Sequence, residues 1–287
     1  MTNVKKKFEQ EAVLRNLSPR TMESYWWYIK DYCEYVGKPA EDTNVEDIRN
    51  YFQIKLTNGK NVPGSVKMGY YAIKFLFTQI LNKEWASQYL PTPKTPKTLP
   101  LVLSQEEVTS IFNFIPNFKH RVIIMFIYST GARVSECVNI KISDIDSQRM
   151  QINIQEGKGL KQRKVPLSQN ILEALREYVR VYNPSHFLFE GGKKGTHISV
   201  SAVREICNKA RYKTHHINKH YTPHTFRHSF ATHMLEHGVN LLIIQRLMGH
   251  SDLSNTLKYL HVQQMALSVV KNPLDSIEYI EELCKQQ

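Results

Sequence analysis

The chain has 287 residues, enough for about two domains, with 38 Lys and Arg against 26 Asp and Glu and a formal net charge of +12. With 41% hydrophobic and 22% charged residues, and 12 each of Gly and Pro, it is neither a disordered polyelectrolyte nor a collagen-like or low-complexity chain. Its longest apolar run, Val122 to Tyr128, is too short for a bilayer, and Met1 to Gln10 lacks the apolar core of a secretory signal.

Taken in chain order, the first 90 residues read as helical. A first helix runs from Val4 to Arg15, and Ser18-Pro19 supplies an N-cap followed by proline for a second one. That second helix repeats Met22, Tyr25, Trp26, Ile29, Cys33 and Val36 at helical spacing. Thr43 with Glu46 is a candidate capping box for a short helix bearing Ile48, Tyr51 and Phe52. After the breaker Pro63-Gly64, the series Val66, Tyr70, Ile73, Phe77, Ile80 steps by four and three. These elements predict a compact helical bundle.

Four prolines between Leu90 and Pro100 exclude a helix interior and mark a linker. The expected organisation is therefore a helical domain over 1–90, a linker over 91–100 and a larger domain over 101–287. Ser104-Gln-Glu-Glu107 opens the larger piece with a capping box, and Arg121 to Ser129 reads as a buried helix. Met150, Ile152 and Ile154 alternate with polar residues as a strand does. Gly157-Lys158-Gly159 punctuates it, Lys164 to Leu167 returns as its partner, and helical patterns dominate from Asn170 onward. The fold class is mainly α with a small antiparallel sheet inserted (α+β).

Several side chains in the larger piece carry chemical potential. Thr222 and Pro223 form a helix start, which places His224 in the first turn and Arg227 on the same face. Cationic side chains beside the positive end of a helix dipole make sense when an anion is bound there; otherwise the pair is a solvated helix start. Arg133 follows Gly131 at another helix start, where its planar fork suits a phosphate or simply pairs with Glu136. Lys158 sits at a flexible Gly-Lys-Gly tip, His250 follows the helix that stops at Gly249, and Tyr259 is one of 15 tyrosines. Each signal alone is weak.

The ordered set Gly131-Ala-Arg133-Val-Ser-Glu136, Gly157-Lys158-Gly159, His224-Thr-Phe-Arg227-His-Ser-Phe-Ala-Thr-His233, Met248-Gly-His250 and Tyr259 resembles the tyrosine recombinases. That family includes phage integrases, Xer-type resolvases and, with some similarity here, integron integrases. The resemblance covers nearly the whole chain. It implies a SAM-like core-binding bundle followed by a catalytic domain, the two clamping a DNA duplex. It also implies metal-independent strand exchange without a cofactor. Tyr259 would attack the scissile phosphate to leave a 3′-phosphotyrosine and a free 5′-hydroxyl. Arg133 and Arg227 would grip the non-bridging oxygens, and Lys158 would protonate the departing oxygen. His224 would serve as general acid/base, and His250 would hydrogen-bond the phosphate. Leu260 departs from the Thr common after the nucleophile, and the interval from Lys158 to His224 leaves no room for the added segment of integron enzymes. The resemblance further implies a bacterial or phage-derived protein of the cytoplasm, associated with the nucleoid. Cys33, Cys137, Cys207 and Cys284, scattered without framework spacing, fit a reduced compartment.

A phenol of pKa near 10 is only about 0.1% ionised at neutral pH. A cationic pocket would lower that value, and a base would remove the proton during attack.

Competing readings are a catalytically inactive DNA-binding protein of the same fold and a type IB topoisomerase-like relaxing enzyme. A zinc site is a further alternative, on the i, i+4 pairs His224/His228 and His233/His237, but no H-E-x-x-H completes it. The +12 charge points to a polyanion, and binding to duplex DNA through phosphates would be steeply salt-dependent. Candidate contacts are Lys5, Lys6, Lys7, Arg20, Lys94, Lys97, Lys161, Arg163, Lys164, Arg211, Lys213 and Lys219. The basic residues do not segregate onto a membrane-binding face. Past Lys271, Ile277, Ile280 and Leu283 form a short apolar stripe; the resemblance implies that this tail docks on a neighbouring protomer, giving a homo-tetramer or paired dimers on two DNA sites, and packing within its own chain is the alternative.

Overall fold

The computed structural model describes residues 2–57, 63–94, 99–155, 162–214, 217–250 and 252–259. The chain divides into two compact units, Met1–Thr98 and Leu99–Gln287.

The first unit holds α1 (Thr2–Leu14), α2 (Pro19–Val36), α3 (Val45–Thr57) and α4 (Pro63–Phe75), which runs on into a π-helical turn at Leu76–Ile80. Ser18 caps α2 by accepting from the Thr21 N–H at 3.1 Å. At α3 the cap falls one residue later than the Thr43–Glu46 pattern predicts. Asn44 Oδ1 accepts from the Asp47 N–H at 3.0 Å, and Asp47 returns the bond to the Asn44 N–H at 2.8 Å. The Thr43 hydroxyl instead donates to the Ala40 carbonyl at 2.7 Å, closing the short 3₁₀ turn before the helix. Pro63 is the first residue of α4 rather than a break ahead of it, as its missing N–H allows. The four-and-three series is buried throughout, from Val66 and Tyr70 to Ile73, Phe77 and Ile80, and packs against Phe8, Ile29, Tyr32 and Tyr51.

The second unit is helix-rich around a small sheet. Its elements are α5 (Gln105–Phe114), α6 (Phe118–Thr130), α7 (Val134–Asn139), β1 (Ile145–Asp146), β2 (Gln151–Ile154), β3 (Arg163–Pro166), α8 (Gln169–Tyr182), α9 (Val200–Lys213), α10 (Pro223–Glu236), α11 (Leu241–Met248) and α12 (Ser254–Leu257). Ser104 and Glu107 form the expected capping box of α5. Val122, Ile123, Ile124, Phe126 and Ile127 are all fully enclosed, while Arg121, Met125 and Tyr128 on the remaining side are half-buried, so α6 is a central helix covered over most of its circumference. The sheet is antiparallel in the order β1-β2-β3, with Ile152 opposite Ile145 on one side and Val165 on the other. β1 has only two residues, too few for alternation to reveal.

Candidate active site

Two helix junctions and one helix start set the site. Helix α6 ends on Gly131 in the left-handed region at φ 61°, which costs glycine nothing. The chain then turns at Arg133, the N-cap of α7, whose backbone N–H donates to Glu136 Oε2 at 2.7 Å. Helix α11 stops in the same way on Gly249, also at φ 61°. Helix α10 starts behind Thr222 with Pro223 first, so His224 is exposed at its opening turn while Arg227, three residues on, is 2% exposed.

Arg227 joins these pieces. Its guanidinium donates to the carbonyls of Gly131 and Met248 and lies 3.2 Å from His250 Nε2. Arg133 donates to the Gly249 carbonyl at 2.9 Å and to Glu136 Oε1 at 2.8 Å. Both arginines therefore face the Met248-Gly-His250 turn. Because a guanidinium only donates, His250 Nε2 is the acceptor, and its Nδ1 carries the hydrogen given to Thr256 Oγ1 at 2.9 Å. Burial first, then Arg227 and Arg133, push His250 down to about 4. Burial, then Arg133, lower Arg227 to about 10, which leaves it charged at neutral pH. Desolvation, then Arg227, Arg133 and Arg204, hold His224 below the ordinary imidazole range.

Tyr259, just past α12, is 1% exposed. Its ring lies nearly parallel to that of His250, with centroids 6.4 Å apart at 12°, and its hydroxyl meets His228 Nδ1 at 2.9 Å. Burial raises the phenol above its ordinary value, and the opposing pull of Arg227 and Arg133 does not reverse this. The tyrosine is thus a neutral phenol at rest, and the cationic pocket does not ionise it in advance.

Arg133, His224, Arg227, His250 and Tyr259 are drawn together although the first and last stand 126 positions apart in the sequence, while Lys158 lies outside the described residues. Three further participants stood in the sequence in other roles, Glu136 as a pairing partner for Arg133, Arg163 as a DNA contact and His228 in a histidine pair. Glu136 is 7% exposed and binds two arginines. Arg163 is the second, and here the structure corrects an expected DNA contact. Its side chain is 9% exposed, donates to both Glu136 oxygens at 2.9 and 2.7 Å, and gives its Nε hydrogen to the Leu247 carbonyl at 2.7 Å. A guanidinium so occupied is a strut of the site. The third is His228, whose i, i+4 relation to His224 was the available signal.

Two other expected DNA contacts have partners within the chain. Lys219 donates to Glu107 at 2.6 Å and to the Val102 carbonyl at 3.1 Å, which ties it to the start of α5. Arg211 is half-buried, with Nη1 sealed from solvent and its other terminal nitrogen donating to Asn208 at 3.1 Å. Lys5, Lys6, Lys7, Arg20, Lys94, Lys164 and Lys213 are exposed, whereas Lys97 and Lys161 lie outside the described residues. In the pairs read as possible zinc ligands, His228 Nδ1 meets Tyr259, His233 Nδ1 meets Tyr128 at 2.8 Å, and His237 Nδ1 meets the His233 carbonyl at 2.6 Å. Among the described residues no three His, Cys, Asp or Glu side chains gather as a metal-ligand group, and no helix is long and apolar enough to cross a membrane.

Comparison with known proteins gives the family. Residues 102–265 match the phage integrase family, and residues 5–87 match the phage integrase N-terminal SAM-like domain. The chain is 36% identical over 277 residues to a putative integrase/recombinase, y4qK, of Sinorhizobium fredii, covering 96% of this chain and 89% of that protein. It is 33% identical over 271 residues to the tyrosine recombinase XerA of Pyrococcus furiosus, covering 91% and 90% respectively. The solved lambda integrase (75–356) dimer bound to a COC′ core site shares the fold, with a TM-score of 0.73 at 18% identity, covering 88% of this chain and 92% of that one. The chain belongs to the phage integrase family and is a tyrosine recombinase, an enzyme of site-specific DNA recombination.

Proposed function

We propose that Tyr259 is the nucleophile of this enzyme and that the pocket beside it holds one scissile phosphate of duplex DNA. The phenolic oxygen displaces the 5′ oxygen, forming a 3′-phosphotyrosine, and the free 5′-hydroxyl of a partner strand reverses the step. Phenolate leaves more readily than an alkyl alkoxide, so the bond energy is conserved and no nucleotide cofactor is needed.

Arg133 and Arg227 neutralise charge growing on the non-bridging oxygens, where preorganised electrostatics contribute most. Both are held in place before DNA arrives, by Glu136 and by the carbonyls at Gly131, Met248 and Gly249. His250 orients Arg227 at rest. A bound phosphate favours protonated imidazole, which lets His250 donate to it. His224, exposed at the start of α10, acts as general acid/base toward the phosphate, and Lys158 protonates the 5′ oxygen.

The observation that carries this reading is the convergence of one buried phenol, two guanidiniums and His250 on a single turn. The domain over 1–90, joined by the linker 91–100 to the catalytic domain 101–287, grips the flanking duplex. Arg20, Lys94, Lys164 and Lys213, all exposed, contribute phosphate contacts. The DNA-bound dimer among the solved relatives supports a duplex partner here. Two dimers pair on two sites through residues 276–287 to make a homo-tetramer.

The test is incubation with nicked suicide duplexes in EDTA. The wild type accumulates a covalent protein–DNA adduct and Tyr259→Phe accumulates none. An adduct that survives Tyr259→Phe refutes the nucleophile, and no adduct from the wild type on any trapped site favours a DNA-binding protein without catalysis.

A further inference from the structure

We propose that His228 is the proton acceptor for Tyr259, a catalytic group on the nucleophile side distinct from those that serve the phosphate and the leaving oxygen. The inference rests on the reading of Tyr259 as nucleophile. Its geometric basis is the 2.9 Å contact between the phenolic oxygen and His228 Nδ1, with ring centroids 5.7 Å apart. Among the described residues this is the one hydrogen bond of a hydroxyl on a side chain 1% exposed. A buried phenolic hydrogen needs an acceptor, so His228 Nδ1 accepts and Tyr259 donates.

The alternatives in the site are placed for other work. His250 Nε2 accepts from Arg227 and its Nδ1 serves Thr256. His224 is on the exposed turn before His228, ring to ring with it at 5.9 Å. The charged and titratable groups facing His228 are His224 and Arg227 from its own helix, His250 after α11, and Lys258 with Tyr259 after α12. Burial first, then His224, Arg227 and Lys258, push His228 down to about 4. It is therefore neutral, with a lone pair available, throughout the neutral range.

The step balances. The Tyr259 O–H bond breaks and its proton passes to His228 Nδ1 as the tyrosyl O–P bond forms. The bond from phosphorus to the 5′ oxygen breaks, and that oxygen takes a proton from Lys158. In religation the 5′-hydroxyl returns its proton to Lys158, the O–P bond to Tyr259 breaks, and the imidazolium of His228 reprotonates the phenolate. Proton count and charge are restored over the cycle.

The full-length chain with Ala or Gln at position 228 tests this by the rate of adduct formation from pH 6 to 9. Glutamine retains an acceptor for the phenol but cannot take its proton, which separates holding from proton transfer. General bases contribute about 10²-fold or more, and both variants are expected to lose about that much at pH 7. Their rates should then climb about tenfold per pH unit, following the tyrosinate fraction, while the wild type stays nearly flat. A duplex with sulfur at the 5′ bridging position has a leaving thiolate that needs no proton. It should restore Lys158→Ala but neither His228→Ala nor His228→Gln. If the variants keep the wild-type pH profile, or if bridging sulfur restores them, His228 is not the acceptor and the proposal fails. Tyr259→Phe is run alongside: an adduct from that variant overturns the nucleophile assignment itself, whatever the His228 variants do.

Discussion

Glu136 shows why a cluster of buried arginines needs an acid among them. Three like charges cannot share a buried turn without compensation, and this carboxylate binds Arg133 and Arg163 and lies 3.9 Å from Arg227. Burial pushes its carboxyl up, but Arg163 and Arg133 outweigh that and hold it below the usual range. Removing one partner of a buried ion pair costs about 3–5 kcal/mol, because the charges left behind stay desolvated. Glu136→Gln keeps the volume and loses the charge, so it should destabilise the chain by about 3 kcal/mol in chemical denaturation. A group whose folded pKa is depressed stabilises above its unfolded value, near 4.3, and loses that stabilisation as pH falls through the folded value. The gap between wild type and Glu136→Gln should therefore be full at pH 7 and shrink below about pH 4. A gap independent of pH would show that packing, not charge, makes Glu136 necessary. A surface ion pair such as Arg180 with Glu177 carries no such expectation.

At the scale of elements, the site is built where helices stop. Gly131 ends α6 in the left-handed region, and its carbonyl accepts from Arg227. A Cβ there would lie 2.5 Å from Phe230 Cδ1 and 3.1 Å from Met248 Sδ. Gly131→Ala thus combines backbone strain with overpacking, and should cost roughly 2 kcal/mol or more. Because Phe230 is one helical turn from Arg227 and Met248 carries the other carbonyl on it, adduct formation should fall more than the folded fraction does. Equal losses of both would mean that the junction serves stability alone. Such junctions were legible in the sequence: Ser18, Ser104, Thr222, Gly131 and Gly249 signal helix ends through their own local chemistry. Buried faces were legible too, since periodicity survives without tertiary knowledge. What the sequence hid is long-range or very short. Arg163 finds Glu136 across a separation of 27 residues and Leu247 across 84, and no i, i+4 rule reports that, so a strut was read as a DNA contact. The pattern named Thr43 as the cap, but the 3₁₀ turn at Ala40–Asp42 takes its hydroxyl, and Asn44 caps α3 instead. His228 was visible only as half of a spacing pattern, whose meaning changed once Tyr259 stood opposite it.

At the scale of the whole molecule, strand exchange needs two cut sites held together, and a net charge of +12 opposes the approach of protomers unless DNA neutralises them. A specific protein contact must then set their order. Residues 276–287 carry Ile277, Ile280 and Leu283 at steps of three, an apolar stripe on a segment of twelve residues that is too short to be stably helical without a partner surface. That segment lies outside the described residues. In the proposed assembly it docks on the next protomer, and the added valency multiplies affinity through effective concentration rather than through new DNA contacts. Truncation after Asp275 removes this link while leaving the Arg133, Arg227 and Tyr259 pocket untouched. Such a chain should bind a single site and form the tyrosine adduct on a suicide duplex as the wild type does, yet assemble paired-site complexes at least about tenfold less well in native gels or by light scattering. Undiminished pairing would mean that protomers meet through other surfaces, and that the stripe packs within its own chain.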